Sequence, residues 1–262
     1  MIDVHTHVLP GLDDGATDPA ESVEIARLAS ADGVRVMVAT PHIREDFDVP
    51  IGEIAGRVAS LNGELDREGI PLRVVPGGEV AVTKLELLDD ADLGKVSLGG
   101  DSRHLLVETP YGSVPSSFDE ALFRLALRGF TALIAHPERS ATFQRRPERV
   151  ARMVERGALV QVTASALSGG WDQRAEEYSW RLLEDGLVHV LASDVHHAGG
   201  SRASLADARE LLAERELEEL AEWLTAEAPA RLLDGRPPGE PPPAPARRQA
   251  RGLRRLWRRG RS

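Results

Sequence analysis

Two histidines stand two residues apart at the start of this chain, in Asp3-Val4-His5-Thr6-His7. On an extended strand, side chains at i and i+2 point the same way, so both imidazoles can reach one cation. Asp194 and His196 repeat the spacing in Ser193-Asp194-Val195-His196-His197. Between them lie Asp13-Asp14-Gly15, Thr40-Pro41-His42, Gly77-Gly78-Glu79, Val107-Glu108 and Ala135-His136-Pro137-Glu138-Arg139. A lone His-x-His is a weak signal. The set is stronger: His5, His7, Asp14, His42, Glu79, Glu108, His136, Asp194 and His196 form a mixed imidazole and carboxylate donor set. No thiolate competes, because the sequence has no cysteine. Such donors suit Mn²⁺, Fe²⁺ or Zn²⁺ over a soft metal. They are too many for one ion and, with carboxylate bridging, suit two or three. Four carboxylates facing three divalent cations leave a positive bowl that attracts a phosphate dianion. A water bridging such ions becomes hydroxide near neutral pH and can attack phosphorus in line. Arg139 is the side chain expected to fork onto the phosphoryl oxygens and stabilise their charge in the transition state.

Each residue also has a plainer reading. His5 and His7 alone would read as hydrogen-bonded core histidines. Asp13-Asp14-Gly15 reads as a turn, one of its aspartates serving only Asx hydrogen bonds. Glu79, in a glycine-rich turn, reads equally as a solvated loop residue. Glu108 follows Leu105-Leu106-Val107 and would be costly to bury without a cation. His104 and His189 sit at the wrong end or face of their strands and read as structural. Glu138 reads as a surface or supporting residue.

These residues gather only if the elements carrying them share one end. Seven short apolar runs read as strands: 2–8, 34–40, 72–75 running toward Glu79, 104–108, 131–136, 159–163 and 188–194. Near-continuous runs such as Val34-Arg35-Val36-Met37-Val38-Ala39 suit parallel strands buried on both faces. Helical patterns alternate with them over 19–32, 116–128, 147–156 and 178–185, each stopping at a glycine. Short connections imply right-handed βαβ units. Their number approaches the eight of a (β/α)8 barrel, so a distorted, TIM-like (β/α)7 barrel is expected. An open doubly wound sheet is the runner-up, without the Gly-x-Gly-x-x-Gly turn that would favour it. In either fold the C-terminal strand ends converge, and six of the seven strands end in a candidate ligand.

The chain has 262 residues and a net charge of −10. An acidic average argues against a nucleic-acid binder. The lack of cysteine fits a cytoplasmic setting and excludes a cysteine nucleophile. No basic leader precedes an apolar core at the N-terminus, and no run is long and apolar enough to span a membrane. After residue 235 the composition changes. Residues 236–245 form a proline-rich linker, and residues 247–262 an arginine-rich tail without acids. Residues 236–262 hold nine arginines and one glutamate, which leaves residues 1–235 at −18. Leu253, Leu256 and Trp257 lie at i, i+3 and i+4 among the tail arginines. They suggest either a disordered basic tail or a short helix face docking at an anionic membrane surface.

The opening segment 1–16, with Asp13-Asp14-Gly15 after the His-x-His, resembles that of the PHP (polymerase and histidinol phosphatase) superfamily. It is most similar to the CpsB/CapC-type bacterial tyrosine-protein phosphatases. Thr40-Pro41-His42, His136-Pro137-Glu138-Arg139 and Ser193-Asp194-Val195-His196 follow in the same order. The similarity covers residues 1–235. It implies a PHP barrel with a trinuclear, usually manganese-dependent, site: His5, His7, Glu79 and Asp194 on one metal, Glu79, Glu108 and His136 on a second, and Asp14, His42 and His196 on a third. It implies catalytic roles for His42, His136 and Arg139, the last as the phosphate-binding arginine. The implied substrate is phosphotyrosine on an autophosphorylating kinase of capsule or exopolysaccharide assembly, and some members form homo-oligomeric rings. The missing cysteine then excludes a cysteinyl-phosphate route and leaves a metal-dependent one. A small-molecule phosphatase, such as histidinol-phosphate phosphatase, and a PHP nuclease are the alternatives. The basic extension and Glu108-Thr109-Pro110-Tyr111, where a shorter Glu-x-Pro is usual, depart from the pattern. The sequence does not identify the proton donor to the leaving phenolate and offers only His197 as a weak candidate.

Overall fold

A computed structural model describes residues 1–100, 103–110, 112–199 and 204–243; Tyr111 and the 247–262 tail lie outside the described residues. The strands are β1 (Ile2–Thr6), β2 (Val36–Ala39), β3 (His42–Ile43), β4 (Arg73–Pro76), β5 (Glu79–Ala81), β6 (His104–Glu108), β7 (Thr131–Ala135), β8 (Leu159–Thr163) and β9 (Val190–Ala192). The helices are α1 (Pro19–Ala31), α2 (Ile54–Arg67), α3 (Asp90–Lys95), α4 (Ser117–Leu127), α5 (Ala141–Arg145), α6 (Pro147–Glu155), α7 (Gln173–Glu184), α8 (Leu205–Ala213), α9 (Glu218–Glu222) and α10 (Ala228–Leu233).

All strand pairs are parallel, in the orders β1-β2-β4 and β3-β5-β6-β7-β8-β9. These two ladders are one barrel. β3 continues the line of β2 beyond Thr40-Pro41, and β5 that of β4 beyond Gly77-Gly78. Pro41 lacks the N–H a ladder needs, and Pro76 ends β4 as the partner of Ala39, so pairing breaks just beyond that pair. The crossing at Gly77 is too close for a side chain: a Cβ would lie 2.6 Å from Val38. The barrel closes where Asp194 N donates to His5 O (2.9 Å) and His7 N donates to Val195 O (2.8 Å). Nine segments therefore make the seven strands expected from the apolar runs.

The lower barrel is filled by Val4, Val38, Leu106, Leu133, Leu159 and Val190, and is stoppered by Leu98 and Leu232. Leu232 comes from α10, whose carbonyl at that residue meets His104 Nδ1 at 3.1 Å. His104 is thus structural, as its place at a strand start suggested. Leu232→Ala would leave a void in a dry barrel floor and is expected to cost about 2–4 kcal/mol of stability. Chemical denaturation would check this, and a loss under 1 kcal/mol would contradict the stopper role.

Several boundaries differ from expectation for physical reasons. The strands expected to run through His136 and Asp194 stop short, because both residues adopt left-handed backbone, with φ +36° and +54°. α7 starts at Gln173, capped by Asp172, five residues before the expected start. Its first turn, Gln-Arg-Ala-Glu-Glu, shows little apolar periodicity to read. No helix is long and apolar enough to cross a membrane among the described residues.

Candidate metal centre

The carboxyl ends of the strands carry the candidate donors, and local distortions aim them. Along β1 the pairing with β2 advances from Asp3 to Thr6 while β2 advances only from Met37 to Ala39. This bulge lets two neighbours serve the barrel interior: Val4 packs in its floor and His5 turns into the site. The loop after β1 then folds back on His7, Ala16 N donating to His7 O at 3.0 Å. Contact is so close at Gly15 that a Cβ would lie 2.1 Å from His7 O. That turn sets Asp13 and Asp14 beside the imidazoles.

All nine candidate donors meet at this end of the barrel, in groups whose ligand atoms lie within 4.8 Å of one another. His5 Nε2, His7 Nε2 and Asp194 Oδ1 form one such group, and Glu79 Oε2 faces both imidazoles. His5 Nε2 lies 3.3 Å from His7 Nε2, 3.4 Å from Glu79 Oε2 and 3.2 Å from Asp194 Oδ1. His7 Nε2 lies 3.6 Å from Glu79 and 3.3 Å from Asp194. Donors bound at about 2.1 Å to one tetrahedral ion lie roughly 3.4 Å apart, so His5, His7 and Asp194 fit a divalent cation, while Glu79 groups with His5 and His136 and with His42 and Glu108. Glu79 also reaches His136 Nε2 through Oε1 (2.9 Å) and His42 Nδ1 through Oε2 (2.9 Å). Asp14 faces His42 Nε2 at 3.4 Å and His196 Nε2 at 3.5 Å. The grouping departs from the implied one: His5, His7 and Asp194 group without Glu79, His7 also joins Asp14, His42 and His196, Glu108 joins His42 and Glu79, and His136 joins His5 and Glu79. Glu79 is fully buried on β5 and is no solvated loop residue.

The imidazoles are aimed from behind. Asp13 Oδ2 lies 2.7 Å from His7 Nδ1 and also accepts from His42 N. Gln161 Oε1 lies 3.1 Å from His5 Nδ1 and accepts from His136 N. The Asp194 carbonyl lies 3.0 Å from His196 Nδ1. Each support leaves Nε2 for the cluster, the usual division of labour on a metal-ligating histidine. Asp13 also accepts from Gly15 N, so it makes the Asx turn while orienting His7.

Charge is balanced within the cluster. Burial pushes the His7 imidazolium down, but hydrogen bonds and charges from Asp13 and Asp194 outweigh it and raise its pKa well above the ordinary value. Burial likewise works against the Asp13 carboxylate, yet His7 and two backbone N–H groups lower it to about 2. Glu79 and Asp194 are held well below the carboxylate range despite burial, both by His5 among other partners. Glu108 is raised, first by burial and then by the Glu79 charge. His196 is pushed to about 4 by burial and by His7, so it presents a neutral imidazole, as metal ligation requires.

The family model for capsular polysaccharide synthesis proteins of the CpsB/CapC type matches residues 1–234. This chain belongs to the CpsB/CapC family. It is 35% identical over 253 residues to tyrosine-protein phosphatase YwqE of Bacillus subtilis, across 95% of this chain and 98% of that protein. Tyrosine-protein phosphatase CpsB of Streptococcus pneumoniae is 26% identical, across 89% of this chain and 98% of that one. A crystal structure from work on YwqE of Bacillus subtilis and CpsB of Streptococcus pneumoniae, described as unique metal-dependent tyrosine phosphatases, superposes with a TM-score of 0.84. It is 33% identical and covers 95% of this chain and 100% of that one. Histidinol phosphate phosphatase of Lactococcus lactis, at 14% identity and a TM-score of 0.53, covers 82% of this chain and 94% of that one, and shares the fold.

Two arginines flank the centre in this CpsB/CapC chain. Arg139 Nη1 lies 2.6 Å from Asp194 Oδ2, its Nη2 donates to Thr163 Oγ1 at 2.8 Å, and its guanidinium stacks over Trp171 at 4.0 Å. Asp14, His196, Arg139 and Trp171 together line one end of a cavity of about 730 Å³. Arg44, on the loop after β3, donates to Glu108 Oε1 and pairs with Asp46. The residues missed from sequence are Arg44, Gln161, Thr163 and Trp171. Gln161 had a signal: it is the one amide in the apolar run Leu159-Val160-Gln161-Val162-Thr163. β8, the strand to which no ligand was assigned, supplies supports instead. His189 is buried, with its pKa lowered to about 4 by burial, and accepts from Val160 N; it is structural as expected. Glu138 is fully buried and accepts from Thr163 N, which excludes the surface reading and leaves the supporting one. His197 is exposed and lies 3.1 Å from Glu21 on α1, outside the clustered donors.

Proposed function

We propose that this chain is a metal-dependent protein-tyrosine phosphatase. Its substrate would be phosphotyrosine on a tyrosine kinase of capsule or exopolysaccharide synthesis. The observation that carries the reading is the donor group of His5, His7 and Asp194, with Glu79 against both imidazoles and the Arg139 guanidinium fixed against Asp194. Residues 1–235 form the phosphatase domain in this reading, followed by a linker and basic tail. His5, His7, Asp14, His42, Glu79, Glu108, His136, Asp194 and His196 would hold two or three divalent ions, Mn²⁺ by preference and Fe²⁺ or Zn²⁺ otherwise. When bound, these ions supply Lewis acidity and an activated water.

The chain's own residues do the rest. Glu79 ties the donor groups together through His5, His7, His42 and His136, which would fix the spacing of bound ions. Arg139, its plane set by Asp194, Thr163 and Trp171, receives the phosphoryl oxygens as negative charge grows on them. Arg44 offers a second cation beside Glu108. His42 and His136, each 2.9 Å from a Glu79 oxygen, hold that carboxylate in place and would act at the phosphoryl group through the donor cluster they share with it. Trp171, 38% exposed, presents aromatic surface to the phenyl ring at the rim. The chain works on the cytoplasmic side of the membrane, and its 247–262 segment binds anionic lipid near a membrane-bound kinase. Equal liposome co-sedimentation of the full chain and of residues 1–235 would sink that last point. A homo-oligomer would cover Phe123 and Leu127, exposed on α4. A monomer by light scattering would refute it.

The deciding assay, in Mn²⁺, compares a phosphotyrosine peptide, histidinol phosphate and single-stranded DNA. The peptide is expected to be hydrolysed fastest and the DNA not at all. Turnover of histidinol phosphate with an inert peptide would replace this reading with the small-molecule one.

A further inference from the structure

The two loops that leave Glu108 and His136 meet again on the flank of the same barrel end. Val114 N donates to Thr142 Oγ1 at 3.2 Å, and Arg149 donates to the Val114 and Pro115 carbonyls. Beside this seam lies a second cavity, of about 530 Å³, bordered by Ser113, Ser116, Arg145, Arg146 and Arg152. Arg149 is buried and takes Asp119 as its partner. Arg145, Arg146 and Arg152 are exposed and, among the described residues, have no ion pair or side-chain hydrogen bond. Glu148 is the one remaining carboxylate of the lining. The N-terminus of α4 opens here too, and its cap residue Ser116 makes no capping hydrogen bond.

This is an unusual place to collect cations. Residues 1–235 carry −18 overall, so three guanidinium groups without carboxylate partners depend on specific placement. Like charges held around one concavity repel, and an anion entering it relieves the repulsion. Guanidinium forks suit phosphoryl or carboxylate oxygens, and a helix N-terminus adds to the same field.

We propose that this cavity is a second anion subsite, for a phosphoryl or carboxylate group on the substrate protein displaced along the chain from the scissile phosphotyrosine. The proposal rests on the tyrosine-phosphatase reading. The path from His136 to Arg145 is mostly helical, which bounds the separation of the two sites at about 20 Å. About six extended residues span that distance. The subsite would thus select phosphotyrosines in an acidic or multiply phosphorylated segment, and would act on KM while leaving the chemistry at the metal centre unchanged.

The test uses the full chain with Mn²⁺ and three peptides of one length: phosphotyrosine with neutral flanks, the same with paired glutamates six residues away on either side, and the same with phosphoserine there. The glutamate and phosphoserine arms separate the two sources of negative charge. The unaltered protein is expected to show a KM roughly tenfold lower for the anionic peptides, an advantage that shrinks with salt. The double variant Arg145→Glu/Arg152→Glu, changed only at exposed positions, should lose the advantage and keep its turnover of p-nitrophenyl phosphate. Fluorescence anisotropy with non-hydrolysable difluorophosphonate versions of the peptides should show the same difference in Kd. Equal KM and Kd for neutral and anionic peptides, or an advantage that survives in the variant, would overturn the subsite. Failure to hydrolyse p-nitrophenyl phosphate and every peptide would instead count against the phosphatase reading, and anisotropy would still judge the cavity.

Discussion

Glu79→Gln is expected to lower turnover of a phosphotyrosine peptide by about a thousandfold, equivalent to about 4 kcal/mol of transition-state stabilisation, while leaving the barrel folded. Glu79 is the carboxylate that His5, His7, His42 and His136 all approach within 3.6 Å. An amide keeps the shape but removes the charge and one of the two acceptor oxygens on which the donor groups converge. The variant should also be less stable in its metal-free form. The imidazoles of His5, His136 and His42 hold Glu79 well below the carboxylate range despite burial, so its charge stabilises the fold, and its loss outweighs relief of the repulsion that raises Glu108. The melting temperature after chelation should therefore fall below that of the unaltered protein. The increment regained on adding Mn²⁺ should shrink, because metal binding is coupled to folding through these donors. Calorimetry with and without metal, together with metal analysis of the dialysed protein, separates the two effects. Full activity with unchanged metal content would remove Glu79 from the centre.

Much of this arrangement was legible because its parts obey periodic rules. The seven strands, and with them the (β/α)7 count, were readable from apolar runs. The HxH and DxH pairs were legible as candidates, but the two-residue strand repeat does not place them: His7 lies past the end of β1, and Asp194 and His196 lie past the end of β9, Asp194 in left-handed backbone. What escaped has no period. The β1 bulge that aims His5 depends on pairing with β2, and nothing in Ile2–Thr6 announces an extra residue. The breaks at Pro41 and Gly77 divide two strands in ways that a hydrophobicity pattern does not register. His136 and Asp194 sit in left-handed backbone, which costs a non-glycine residue on the order of 1–2 kcal/mol, and only the surrounding barrel imposes it. Arg44 and Trp171 come from loops, where tertiary position alone brings a charged or aromatic side chain to the rim. The stopper Leu232 reads locally as one more helical leucine; its partners Leu98 and Val4 are remote in sequence.

Arg139→Ala is expected to reduce kcat by roughly 10²–10³ with little loss of metal, the scale seen when one preorganised donor to a developing oxyanion is removed. The geometry separates this arginine from the donors. It meets the cluster at Asp194 Oδ2, whereas His5 and His7 face Asp194 Oδ1. Removing it leaves the His5, His7 and Asp194 donor group in place and adds net negative charge beside it, which should hold cations at least as firmly. Arg139→Lys is expected to recover little. A single ammonium cannot contact Asp194 and Thr163 at once while lying flat on Trp171, as the planar guanidinium does. Trp171→Ala should then lower activity less than Arg139→Ala, since it loosens the plane but keeps the charge. Single-turnover kinetics on the three variants, alongside metal analysis, would test the order. Loss of metal in Arg139→Ala would make the arginine a support of Asp194, and activity within tenfold of the unaltered protein would exclude it from phosphoryl stabilisation. With metal retained and kcat collapsed, the remaining role is the one its fixed plane suits: two N–H groups held in position before negative charge moves onto the phosphoryl oxygens.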